Sequence, residues 1–147
     1  MKALLLTIPV VVASLFSTAQ AEEKVIKMKL ITKVVSESPA GAQVFGVTFQ
    51  DNGTIGTKDF FVKPSGNKNE YVGLSTYTFE DGTITAAFRG WPEKGREIGT
   101  YMIQTGTGRY AGARGGGGFE GLPDGKSAIK GVGIWDITLN VTIPPQN

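Results

Sequence analysis

Between Gly99 and Gly121 the chain reads GTYMIQTGTGRYAGARGGGGFEG, which places nine of its 21 glycines within 23 residues. Gly115 to Gly118 are consecutive. Each glycine inside a helix costs about 1 kcal/mol relative to alanine, so no helix can start in or run through this stretch. The flanking runs alternate as strands do, and the stretch therefore reads as a sharp chain reversal between two of them. Thr105-Gly106-Thr107-Gly108 ends one strand at positions that accept positive φ. Arg109-Tyr110-Ala111-Gly112 forms a short turn, with Tyr110 and Ala111 covering one end of a closed sheet. Gly115 to Gly118 lets a coiled strand bend or another backbone pack close. Gly106-Thr107-Gly108-Arg109-Tyr110-Ala111 formally fits the G-x-G-x-x-A dinucleotide fingerprint. That fingerprint needs a helix after it, with the phosphate at its N-terminus, and the four glycines forbid one.

The rest of the chain follows the same two-residue period. From Val25 to Val35, Ile26, Met28, Leu30, Thr32 and Val34 lie on one face, while Lys27, Lys29, Ile31, Lys33 and Val35 lie on the other. The first strand thus has one buried side. Ala42–Gln50 is a second strand, with Phe45, Val47 and Phe49 as its expected packed face. Thr57–Lys63, Glu70–Phe79, Thr83–Gly90, Arg96–Thr105 and Gly116–Gly121 follow, and a long run from Ser127 to Ile143 closes the series, with bends expected at Gly131 or Gly133. Asp51-Asn52-Gly53, Glu80-Asp81-Gly82, the loop Trp91-Pro92-Glu93-Lys94-Gly95, and Leu122-Pro123-Asp124-Gly125 are turn signals between these runs. About eight strands joined by short polar turns predict an all-β antiparallel meander. Closing it into an eight-stranded up-and-down barrel removes the edge strands; a two-sheet sandwich would use the same strands.

Residues 1–21 read as a cleaved secretory signal peptide rather than as part of the fold. Lys2 supplies the positive start, Ala3–Phe16 the apolar centre, and Ala19-Gln20-Ala21 the small-x-small cleavage site. The apolar run is shorter than the roughly 20 residues a bilayer requires, so no membrane span is expected. The domain is then residues 22–147, a single unit with an exported, periplasmic or extracellular location. Without Lys2 the balance is 14 basic against 13 acidic residues, which is no footprint for nucleic acid. The chain has no cysteine and no histidine. Disulfides, thiolate chemistry, Ser-His-Asp and Cys-His hydrolysis and histidine-ligated metals are thereby excluded. The sequence calls for no cofactor and no metal.

Acid–base work would fall to the remaining polar residues. Most acids sit in turns, whereas Asp59, Glu70, Glu97, Glu120 and Asp136 fall in or beside strands. Glu120 and Asp136, in the late apolar part of the chain, are the catalytic candidates if they point inward, where burial would raise their pKa. The alternative is an outward side chain paired with Arg109 or Arg114. Arg89 is a candidate for binding a carboxylate at a barrel mouth, or else a surface partner of Trp91. Tyr77, Phe88, Tyr101, Phe119 and Trp135, together with Phe79, are the expected core or cavity lining.

Ile103-Gln104-Thr105-Gly106-Thr107-Gly108-Arg109-Tyr110-Ala111-Gly112-Ala113-Arg114-Gly115 resembles the I-x-GGTG-hydrophobic-x-x-A-x-G stretch of the allene oxide cyclase and dirigent-like barrel proteins, with Thr105 where those often have glycine. The likeness covers about 17 residues, Thr105 to Gly121, and is topological elsewhere. The chain looks most like the secreted bacterial branch of that group. The resemblance implies an eight-stranded antiparallel, calycin-like barrel, often multimeric, so a homo-oligomer is an expectation. It does not carry over the cyclase glutamate or the dirigent acidic and arginine residues, for which no matching motif is present. Two functions follow as expectations. One is a non-catalytic exported barrel that binds a small apolar ligand or another protein. The other is an isomerase or cyclase of the allene oxide cyclase type, acting on an unsaturated lipid-like or polyketide-like substrate in the barrel cavity. The contents of the barrel interior separate them.

Overall fold

A computed structural model describes residues 19–122, 129 and 131–146. It contains eight strands: β1 Glu22–Ser38, β2 Gly41–Gln50, β3 Ile55–Pro64, β4 Tyr71–Phe79, β5 Gly82–Glu93, β6 Arg96–Gly108, β7 Arg114–Gly121 and β8 Val132–Ile143. Each pairs antiparallel with its sequence neighbours, and β1 pairs with β8 from Glu22↔Ile143 to Lys33↔Val132, closing the barrel. The single closed sheet settles the choice against a sandwich. Residues 1–18 of the expected leader, the turn after Leu122 and the expected start of the last strand at Ser127 lie outside the described residues.

Alternation divides the strands into an inner and an outer face. Ile26, Met28, Leu30 and Thr32 of β1 are buried inside, as are Ile84, Ala86 and Phe88 of β5. In β2 the expected packed face is the outer one. Phe45 and Phe49 are 39% and 42% exposed, whereas Val44, Gly46 and Thr48 point inward. Register explains the difference. Lys29 pairs with Phe49, Ile31 with Val47 and Lys33 with Phe45, and directly paired residues share a face. The lysine face of β1 is outside, so the phenylalanines of β2 are outside with it. The inner face of β2 must be lean, because a Cβ on Gly46 would stand 2.6 Å from Leu30 Cδ1.

The hairpin after β5 is tighter than the expected five-residue loop. Lys94 and Gly95 both take positive φ, 51° and 78°, as a two-residue turn requires. The ladder therefore runs on through Pro92↔Glu97 to Glu93↔Arg96.

The glycine-dense stretch is a barrel corner followed by a strand. Gly108 and Gly112 have φ of 58° and 73°, and the Tyr110 and Ala113 amides donate to the Thr107 and Tyr110 carbonyls at 3.0 Å. Tyr110, 2% exposed, folds into the barrel end against Phe79, with ring centroids 5.7 Å apart. Ala113 is buried beside it, while Ala111, expected to share that role, is exposed. The two tight turns place residue 111 at the apex, outside the sheet. Gly115–Gly118 then run within β7, where a side chain on Gly117 would collide with the Thr138 carbonyl of β8.

Candidate functional site

The barrel encloses a cavity of about 420 Å³. Val34, Val62, Tyr71, Glu97, Gly131 and Val132 line its upper part. These residues lie near the end where β1–β2, β3–β4, β5–β6 and β7–β8 connect, and Gly131 is exposed there. This end is the mouth. The opposite end, carrying the Tyr110 corner, is plugged. The cavity exists because the inner faces of neighbouring strands alternate glycine with aromatics. A Cβ on Gly99 would collide with the Phe119 ring, one on Gly90 with Tyr71, and one on Gly73 with Phe88. The rings lie flat across these glycines and leave space at the centre.

One wall is continuous aromatic surface. Phe60 and Phe88 are 5.7 Å apart, Phe88 and Tyr101 6.1 Å, Tyr101 and Phe119 5.2 Å, and Phe119 and Trp135 5.8 Å. Trp135 Nε1 donates to Thr32 Oγ1 at 3.0 Å, which holds the indole against the wall. Such offset and edge-on ring contacts are the favourable ones.

Polar side chains interrupt this surface at two places. Deep in the cavity, Lys58 is 3% exposed, and its Nζ donates to Tyr101 Oη at 2.6 Å. The same Nζ lies 4.4 Å from the Phe60 ring centroid, 4.9 Å from Tyr101, 5.0 Å from Tyr77 and 5.4 Å from Phe88. Burial pushes the lysine pKa down to about 7, because a charged amine is poorly solvated there. The ring faces favour the ammonium and act against that shift. Near the mouth, the buried Glu97 carboxylate and Tyr71 hydroxyl face each other, and among the described residues neither Glu97 Oε2 nor Tyr71 Oη makes a close hydrogen bond to another group. Burial and then the charge of Glu97 raise the Tyr71 pKa, and burial raises those of Tyr77 and Tyr101. All three phenols stay protonated at neutral pH and remain donors.

Of the residues singled out from the sequence, Phe88, Tyr101, Phe119 and Trp135 line the cavity. Tyr77 lies behind the lining, fully buried, in contact with Lys58 and Tyr101. The three charged candidates do not reach the interior. Glu120 pairs with Arg96, Asp136 with Lys29, and Arg89 with Glu70, all on the outer surface. The reason is alternation: Phe119 and Ile137 point in, so Glu120 and Asp136, paired with each other across β7–β8, point out. Phe88 likewise sends Arg89 outward. Neither Arg109 nor Arg114 takes the carboxylates; Arg109 pairs with Glu22. Among the described residues, no group of three or more His, Cys, Asp or Glu could hold a metal.

Lys58 and Tyr71 are the polar residues that sequence reasoning passed over; it sets Glu97 apart from the turn acids without making it a candidate. The signal was in β3. Of its two phases, Gly56, Lys58, Phe60 and Val62 carry one charge, whereas Thr57, Asp59, Phe61 and Lys63 carry two. The first is the better interior phase, and it takes Lys58 inside. Glu97 shares its phase with Gly99, Tyr101 and Ile103, all buried.

No protein-family model matches the sequence, and no curated protein matches it. Among solved structures, the chain is similar to the pterocarpan synthase dirigent protein GePTS1. The TM-score is 0.65 at 14% identity, over 86% of this chain and 93% of that one. The protein is a dirigent-like β-barrel in fold. At this identity the likeness speaks to architecture alone.

Proposed function

We propose that the protein is an exported barrel that binds one small, largely apolar ligand in its internal cavity and performs no chemistry on it. The mature form is the single domain 22–147, released by cleavage after Ala21 into the periplasm or the extracellular space. The observation that carries the binding reading is the cavity itself. Its volume, about 420 Å³, falls within the range of small-molecule sites, roughly 300–1,000 Å³. Its walls are mainly aromatic and aliphatic, with a few convergent polar groups, as such sites require.

The test is native mass spectrometry of the protein purified from its own source, followed by titration of the emptied barrel with an apolar aromatic probe. A retained small molecule, or micromolar uptake of the probe, is expected. A barrel that carries nothing and takes up no probe would refute the proposal. The intact mass of the same sample tests the leader, since cleavage leaves Glu22 as the first residue.

Glu97 favours a second reading, an isomerase or cyclase. It is a carboxylate in the cavity with a buried oxygen facing the Tyr71 hydroxyl, a pair able to move a proton on a bound substrate. Turnover of the retained molecule or of an unsaturated relative, lost in Glu97→Gln, is its test.

A further inference from the structure

The cavity holds a cation with nothing to neutralise it. Lys58 Nζ has three hydrogens, and one hydrogen bond is made among the described residues, to Tyr101. Four aromatic rings surround the remainder, and no charged group contributes to its ionisation; burial is the whole cause of the depressed pKa. The titratable groups on the inner faces around it are Tyr71 and Tyr77 of β4 and Glu97 and Tyr101 of β6. On the inner phase of β1, Glu22 and Lys24 stand at the plugged end, Glu22 paired with Arg109 and Lys24 over the Tyr110 ring. Glu37 is exposed at the mouth beyond the bulge. The inner faces of β2, β5, β7 and β8 present none among the described residues. Glu97 stands at the mouth, four residues before Tyr101 on the same strand, and does not serve as a counter-ion. A buried ammonium left in this state is destabilising unless something in the cavity pairs with it.

We propose that the Lys58–Tyr101 pair is a recognition site for the carboxylate of an otherwise apolar ligand, which binds acid end first with its apolar body along the aromatic wall. This rests on the cavity being a ligand site. Tyr101 accepts from Lys58 through its oxygen, so its own O–H remains to be donated. The two groups therefore offer one N–H and one O–H from points 2.6 Å apart, and the two oxygens of a carboxylate can take one each. Bonds of this charge-assisted kind are among the strongest available in a dry site. Glu97 sets the polarity of binding. A ligand inserted the other way would leave its carboxylate at the mouth, against a like charge, with Lys58 still unpaired. The Tyr71 hydroxyl and the Glu97 carboxylate face each other at the mouth and can exchange that contact for bonds to a polar group on the outward end of the ligand.

The experiment compares 2-naphthylacetic acid with 2-naphthylacetamide, which match in shape and differ in charge, by calorimetric titration of the mature protein between pH 6 and pH 9. The acid is expected to bind about 10- to 100-fold more tightly than the amide at pH 6, the range for a hydrogen bond to a charged group. Its advantage should fall about tenfold per pH unit once the lysine of the free protein deprotonates, above pH 7, while the amide stays flat. In Lys58→Met the acid and amide should bind alike at every pH. Tyr101→Phe, which keeps the ring, should lower the advantage without removing its pH dependence. Equal binding of acid and amide to the wild type overturns the carboxylate site and leaves the cavity reading standing. Binding of neither overturns both. A pH-dependent advantage that survives in Lys58→Met overturns the assignment to Lys58, since another group then reads the charge.

Discussion

Replacing Lys58 by methionine should make the empty barrel more stable, and by an amount that depends on pH. In the unfolded chain a lysine titrates near 10.5, and in the barrel Lys58 titrates near 7. The folded state therefore binds fewer protons than the unfolded state between these values, and stability rises with pH across that window. Below pH 7 both states are protonated, and the fold bears the full penalty of the buried charge. A tenfold change in proton affinity corresponds to about 1.4 kcal/mol. The penalty is then about 4 kcal/mol at pH 7 and about 2 kcal/mol at pH 9, evaluated from the pKa of about 7. Ring contacts with the ammonium reduce it by about 1 kcal/mol. Methionine fills a similar volume and carries no charge, at the expense of one hydrogen bond, worth roughly 1 kcal/mol. The variant should thus exceed the wild type by about 2 kcal/mol at pH 7, and the gap should narrow to about 1 kcal/mol by pH 9, where the amine is neutral and the ring contacts no longer count. The raised tyrosine pKa values act in the opposite direction, but only above about pH 10, outside the range. Urea denaturation of both proteins at pH 6.5, 7, 8 and 9 measures the difference directly. A gap independent of pH, or a variant less stable than the wild type at pH 7, refutes a lysine held in the barrel without a counter-ion.

Three further outcomes follow from the packing. Gly99→Ala should destabilise the barrel by about 1–3 kcal/mol in denaturant titration, because the added methyl collides with the Phe119 ring and the Arg89 carbonyl; a change near zero would mean that the inner wall yields. Tyr110→Ala removes the plug at the closed end and should cost about 3–5 kcal/mol, the range for truncating a buried aromatic, read as a lower melting temperature. A ligand in the cavity should alter the fluorescence of Trp135, which lines it, and not that of Trp91. The ligand-induced change should survive Trp91→Phe and vanish in Trp135→Phe.

The barrel was legible because its signals are local. Turns such as Asp51-Asn52-Gly53 and Glu80-Asp81-Gly82 divide the chain, and the two-residue period in β1 and β5 assigns an inner face without knowledge of the partner strand. The aromatic wall followed from the same period, through Phe88, Tyr101, Phe119 and Trp135. Register was not local. Nothing within Ala42–Gln50 states that Phe45 and Phe49 face outward; their pairing with Lys33 and Lys29 of β1 decides it. The charged site residues were missed for a related reason. Glu120 and Asp136 drew attention by lying in an apolar region, although the neighbours Phe119 and Ile137 already claimed the interior. Lys58 drew no notice, because a lone cation enters a barrel only when the opposite phase of its strand is more polar still. In β3, Asp59 and Lys63 make it so.

The seam between β1 and β8 has a practical consequence. Glu22 pairs with Ile143 at the plugged end, and the Gln146 side chain reaches the Ala111 carbonyl in the same corner. Both ends of the folded domain thus emerge together, on the side away from the mouth. A tether, a fusion partner or a solid support attached at either end leaves the entrance facing solvent. The scaffold can be displayed on a surface with its pocket accessible, and a short linker across the seam would give a ring-shaped chain whose new ends can be cut elsewhere.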